Sequence, residues 1–247
     1  MDLVIGRGEI GRGLFNHLRR FGETILRAHD DLPGGNFDCV YICSGVTKTR
    51  ECEEDPGGSR RVNVEFPIEI SRRYPWGIWI SSERVFDGQE SYREKGDAVS
   101  PVTEYGRQKV EGEASVLSNG YGVIRFGKVL GWDMPLFEGW VNDLRQGKAV
   151  HPFKDMSMAP VSIGQAVEVL RKMGTEKRSG LHQLSGDRDI SYDRIAKHLC
   201  NYLGYDLDLV QGISGGSPHP HTTLASDFES PNSWDVINEW CGKRLLY

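Results

Sequence analysis

Short apolar runs alternating with amphipathic stretches constrain the first half of this chain more than any other feature. The runs "LVI" (3–5), "TILRA" (24–28), "CVYIC" (39–43), "WGIWIS" (76–81) and "GVIRF" (122–126) are rich in β-branched and aromatic residues. Few polar residues interrupt them, which is how strands covered on both faces read. Between them, Leu14 and Leu18 mark a helical face within 10–21, and Val62, Phe66 and Ile70 mark one within 60–73. Residues 103–118 repeat the pattern with Val110, Ala114 and Leu117. This alternation predicts an α/β chain: a doubly wound parallel sheet with right-handed crossovers and helices on both faces.

The texture changes after about Gly131. The stretch 134–147 reads as a helix, 149–162 as extended or looping chain, and 163–173 as another helix. "GLHQLSG" (180–186) is one more short strand, followed by a helix over 192–203 that Ser191 can cap. A loop rich in Gly, Pro and His (211–226) precedes a final helix near 233–241. These strands are too few for an independent sheet. The expected division is therefore a dinucleotide-binding domain over 1–130, to which the strand near 180–186 returns, and a small substrate-binding lobe over 131–247.

Charge narrows the partners. With 30 basic and 35 acidic residues the net charge is −5, both signs being spread along the chain, so nucleic-acid binding has no global electrostatic support. The five cysteines show no repeated close spacing, so neither a disulfide framework nor a zinc site is indicated and a reducing cytoplasm fits. The opening "MDLVIGRGEIGRG" does not read as a signal peptide, and the longest apolar runs are broken by Arg125 and Lys128, so no membrane span is expected. His219 and His221 in "SPHPH" (217–221) lack an adjacent carboxylate or cysteine, and no metal is expected there.

Directly after the first strand, "GRGEIG" places Gly6, Gly8 and Gly11 as G-x-G-x-x-G. With 30 glycines, roughly 0.4 such spacings arise by chance, so the pattern alone says little. Its position between a strand and an amphipathic helix is the informative part. A pyrophosphate needs close backbone approach and a helix N-terminus, and both are available there. The fold expected is thus Rossmann-like. Arg7 and Arg27 can fork onto a ribose 2′-phosphate, whereas Asp30 and Asp31 would suit a free hydroxyl. NADP is favoured, and NAD remains an alternative.

Ser82 ends the fourth strand, at the carboxyl edge where sites in such sheets form. Tyr105 and Lys109 are four apart, one above the other on a helix. A phenol with a pKa of ~10 exchanges protons poorly at neutral pH. An ammonium at ~4 Å in an effective dielectric of ~20 contributes about 4 kcal/mol to its ionised form, enough for about three units. The spacing therefore predicts a phenol made acidic by Lys109, with Ser82 holding a substrate oxygen beside it.

The segments "GRGEIG", "ISSERVFDG" and "SPVTEYGRQKVEGE" resemble the extended short-chain dehydrogenase/reductase family, and within it the dTDP-4-dehydrorhamnose reductase-like branch. The resemblance runs from residue 1 to about 203 and is strongest over 80–113. It implies Ser82, Tyr105 and Lys109 as the catalytic set, with Tyr105 as proton donor. For the cofactor it implies the glycine loop (Gly6, Arg7, Gly8, Glu9, Ile10, Gly11) with Arg27, the loop at Cys43, Ser44 and Gly45, Asn63, Tyr105 and Lys109. Several features depart from the family pattern: a glycine loop one residue short, Glu83 and Arg84 in place of Asp-Tyr, Lys128 in place of an aromatic, and a short C-terminal lobe. Arg84, Lys128 and Trp132 are candidate substrate contacts.

The function implied is NAD(P)-dependent reduction of a keto group on a nucleotide-activated sugar. An epimerase or dehydratase with tightly held cofactor is one alternative. A dinucleotide-binding regulatory subunit without catalysis is another. The expected partners are a small nucleotide-sugar substrate and at most a second copy of the chain as a homodimer.

Overall fold

The computed structural model describes residues 1–215 and 219–244. Six parallel strands form the central sheet: β1 (Asp2–Ile5), β2 (Thr24–Arg27), β3 (Val40–Ile42), β4 (Gly77–Ser82), β5 (Gly122–Phe126) and β6 (Gly180–Leu184). Their order is β2-β1-β3-β4-β5-β6. Chain direction across the sheet reverses between β1 and β3, so the loops leaving these two strands diverge and open a crevice at the carboxyl edge.

Period-two alternation explains why both faces are covered. Val4, Tyr41, Ile78 and Ile124 face one layer, where they meet Leu14 and Leu18 of α1 (Glu9–Leu18) and Leu170 of a helix over Ile163–Thr175. Leu3, Ile5, Val40, Ile42, Trp79 and Val123 face the other, against Ile70 and Val116. The expected doubly wound sheet is present, with an additional C-terminal lobe.

Two helices differ from the sequence pattern. The single helix expected over 60–73 is three pieces: α-helical Pro56–Arg60, a π-helical turn Arg61–Glu65, and α-helical Phe66–Arg73. The wider turn rotates the chain, so Asn63, Val64, Pro67 and Ile70 are buried instead of a Val62/Phe66/Ile70 stripe. The helix α2 (Glu104–Ser118), capped by Thr103, likewise buries an unexpected face. Tyr105, Lys109, Gly112, Glu113 and Val116 point inward while Ala114 is exposed. The reason is polar: Arg125 donates to both Glu113 oxygens, at 2.9 and 2.6 Å, and Ser81 donates to Oε1 at 2.6 Å. With Arg125 already buried in β5, leaving it without the Glu113 carboxylate would strand a charge in the core, and this fixes the face that α2 turns inward.

The lobe packs α3 (Pro135–Arg145), α5 (Tyr192–Leu203) and α6 (Ser233–Arg244) beside and over the edge, with its own core of Phe137, Trp140, Ile195, Leu199, Ile237 and Trp240, whereas α4 (Ile163–Thr175) covers the sheet face beside α1. Ser191 caps α5 by accepting the Arg194 N–H. Residues 219–227 then run back along the sheet domain, where His221 N–H donates to Gly88, Ala225 N–H to Arg93 and Leu224 N–H to Ser185 Oγ. Of the proline–histidine loop, residues 216–218 lie outside the described residues, whereas His219 is buried against Gly88 and His221 pairs with Asp189. Among the described residues no helix is long and apolar enough to cross a membrane.

Candidate active site

A cleft of about 490 Å³ opens at the carboxyl edge, between the glycine loop and the lobe. It brings together Gly8, Glu9, Ile10, Cys43, Gly45, Ser82, Glu83, Arg84, Tyr105 and Lys128, residues far apart in sequence. Gly6 is at φ +118°, and a side chain there would meet the Ser44 backbone; one on Gly11 would collide with the Gly6 carbonyl. The loop therefore needs glycine at these two positions. Gly8, which begins α1 without a side-chain cap, has open space where a side chain would be.

Other parts of the predicted cofactor strip are fixed by neighbours. Asn63 is fully buried: its Oδ1 accepts the Val46 N–H at 2.9 Å, and its Nδ2 donates to the Val46 carbonyl and Gln108 at 2.9 and 2.8 Å. It thus clamps the loop after β3 and does not line the cleft. The Ser44 hydroxyl is buried without a hydrogen-bond partner. The Cys43 thiol is pushed up to about 12 by burial and is not a nucleophile. Arg7 is exposed on its loop, and Arg27 pairs at 3.5 Å with Asp31 beyond the end of β2.

A dinucleotide fits this arrangement: an uncapped helix start with room beside Gly8 suits a diphosphate. Glu9 points elsewhere. Its Oε1 accepts the N–H groups of Trp132 and Asp133 at 2.6 and 3.1 Å, tying the start of α1 to the loop that leads into the lobe.

Around Tyr105 the charges differ from the spacing argument. Lys109 Nζ donates to the Ile80 carbonyl at 2.8 Å and lies 4.3 Å from the Trp79 ring centroid, but 5.6 Å from that of Tyr105. Burial lowers its pKa to about 8, against the opposing pull of Glu113. The Tyr105 phenol is not made acidic. Burial raises its pKa, the Glu83 carboxylate raises it further, and the Ser82 hydroxyl opposes both. Glu83, only 7% exposed, accepts the Ser82 proton on Oε2 at 2.6 Å and pairs through Oε1 with Arg84 at 3.2 Å.

Lys128 faces the open cleft, and partial enclosure lowers its pKa, with Glu83 opposing and Arg84 reinforcing the shift. Trp132 is not brought into this cleft. It lines a second cavity of about 550 Å³ with Arg12, His17, Trp240 and Lys243. Sequence reasoning missed the role of Glu83, Glu113 and Arg125. Only the four-residue interval from Lys109 to Glu113 could have pointed to a second charge on the buried face.

The parallel sheet, the glycine turn and the crevice at the strand reversal define an α/β protein of the Rossmann type. A family model described as the RmlD substrate binding domain matches residues 26–222, and the chain belongs to this dTDP-4-dehydrorhamnose reductase-like family within the extended short-chain dehydrogenase/reductase superfamily. A curated relative, the probable low-salt glycan biosynthesis reductase Agl14 of Haloferax volcanii, is 27% identical over 203 residues, 76% of this chain and 66% of that protein. The chain thus spans slightly less than two thirds of this relative's length. Two solved structures share the fold. The dTDP-4-dehydrorhamnose reductase of Clostridium acetobutylicum has a TM-score of 0.87 at 20% identity and full coverage of both chains. That of Bacillus anthracis, solved in complex with NADP, has a TM-score of 0.87 at 14% identity, covering 98% of this chain and 97% of that one.

Proposed function

We propose that the chain is an NAD(P)-dependent reductase of a keto group on a nucleotide-activated sugar, with NADP the preferred cofactor. The observation that carries this reading is the single cleft in which Ser82 and Tyr105 face the start of α1 and Gly45. The relatives point the same way, since one is named a reductase and one structure holds NADP.

Residues 1–130 would hold the dinucleotide through the glycine loop and Cys43–Gly45, with Arg7 and Arg27 at the end where a 2′-phosphate would lie. Residues 131–247 would supply the substrate lobe. When bound, the nicotinamide supplies the hydride. Tyr105 donates its proton to the keto oxygen, which becomes the alcohol, and Ser82 orients that oxygen. Lys109 and Asn63 fix the floor under Gly45 and Tyr105. Arg84 and Lys128 bring positive charge to the mouth of the cleft, suited to a diphosphate-linked sugar.

The test follows NADPH absorbance with a 4-keto sugar nucleotide. Loss of NADPH in step with the sugar supports reduction, and Tyr105→Phe should reduce the rate by about 10²–10⁴-fold while cofactor binding stays near normal. Undiminished turnover in that variant would end the proposal. Product formed without net NADPH loss would identify an epimerase or dehydratase instead.

A further inference from the structure

We propose that Glu9 is a positioning residue that couples the dinucleotide site to the substrate lobe, so that filling the first orders the second. The inference rests on the dinucleotide reading of the cleft for its purpose, though not for its geometry.

Glu9 is the first residue of α1 and belongs to the glycine loop, with Gly8 and Ile10 beside it at the cleft. Its side chain leaves that loop. Oε1 accepts the successive N–H groups of Trp132 and Asp133, at 2.6 and 3.1 Å. Oε2 lies over Gly131, where any side chain would collide with the carboxylate. Successive backbone N–H groups turned to one point make a seat for an anion, and a carboxylate, which only accepts, fills it. Glycine at 131 is what lets the carboxylate come so close.

The seat lies at the root of the lobe. It follows the short strand Val129–Leu130 and precedes α3, and Leu130 and Met134 on either side of it join the lobe core of Phe137 and Trp140. Trp132 extends the link to α6, since Lys243 Nζ lies 4.8 Å from its ring centroid. Glu9, Gly131 and Asp133 line both the 490 Å³ cleft and the 550 Å³ cavity, so this joint is part of the wall between them. A different tie from the lobe, residues 219–227, meets Gly88, Arg93 and Ser185, none of which belongs to the glycine loop.

A diphosphate held at the start of α1 would fix the backbone of Glu9, and Glu9 fixes that of Trp132 and Asp133. Order gained on the dinucleotide side of the cleft is thereby passed to the lobe. Such coupling is reciprocal, so a ligand that orders the lobe also tightens the dinucleotide.

Amide hydrogen exchange of the full chain, followed with and without saturating NADPH, tests this. In the wild type, NADPH should slow exchange about tenfold both at 6–12 and at 131–134. In Glu9→Ala the slowing at 6–12 should remain, and that at 131–134 should disappear. Glu9→Gln keeps the reach and an acceptor and should restore part of it. Glu9→Asp, one methylene shorter, should behave as Glu9→Ala does, and it serves if the Ala variant does not fold. Slowing at 131–134 that persists in both short variants overturns the proposal, since NADPH then orders that loop without Glu9. Slowing at 6–12 alone in the wild type overturns it too, while the dinucleotide reading survives. If NADPH slows neither segment of the wild type, the dinucleotide reading fails and the coupling falls with it.

Discussion

Tyr105 has two flanks built on different terms. The flank formed by α2 and the strand floor is closed: Lys109, Glu113, Arg125, Asn63 and Gln108 are buried and hydrogen-bonded to one another or to backbone. The flank formed by the turn after β4 opens on the cleft, where Glu83 and Arg84 pair with each other and Lys128 faces solvent. Both carry cations and carboxylates in similar number. They differ in access, and access decides whether a charge supports the fold or remains available to a ligand. The lysine expected to activate the phenol belongs to the closed flank, so its charge is directed to a carbonyl and a tryptophan face.

Substitutions should separate the flanks. The largest effect is expected at Glu113→Ala, which strands the Arg125 guanidinium in the core and should cost about 3–5 kcal/mol in urea unfolding. A loss below about 1 kcal/mol would mean that the floor is wet and the contrast false. Asn63→Ala leaves the backbone of Val46 unpaired and should cost about 2–3 kcal/mol, with weaker dinucleotide binding as the loop after β3 loosens.

The open flank is tested by pH. His219 is buried near Arg84, and burial lowers its pKa to about 4, with Arg84 adding to the shift. The folded form binds fewer protons than the unfolded form between about pH 6.5 and 4. Its contribution to stability is therefore fully present above about 6.5 and is lost as pH falls through that window. His219→Gln should flatten the acid limb of a stability-versus-pH curve by about 3 kcal/mol, read from melting at fixed ionic strength. An unchanged limb would show that His219 is solvated. The smallest stability effect belongs to Lys128→Met, within about 0.5 kcal/mol, because the ammonium faces the cleft. Its signature should be a higher KM for a sugar nucleotide with kcat nearly unchanged.

The parts readable in sequence are those governed by local periodicity. β1, β3, β4 and β5 are apolar runs that need cover on both faces, and Leu14 and Leu18 face the core of α1 as their spacing requires. The glycine positions follow from backbone geometry at one turn. Helix faces stabilised by polar partners were not readable: Lys109 and Glu113 face inward because Ile80, Ser81 and Arg125 meet them from other strands. The π-turn at 61–65 was hidden for a related reason, since one extra residue per turn leaves no mark on composition.

The sequence by itself determined the parallel sheet, the glycine turn, and the presence of a serine, a tyrosine and a lysine near one edge. These depend on spacing along the chain, which fixes direction within an element. Only the tertiary structure decided which charge faces the phenol, that Glu9 reaches across to the lobe, and that Trp132 lines a different cavity. Electrostatic effects fall with distance and solvent access, and both are set between elements that the chain brings together from afar.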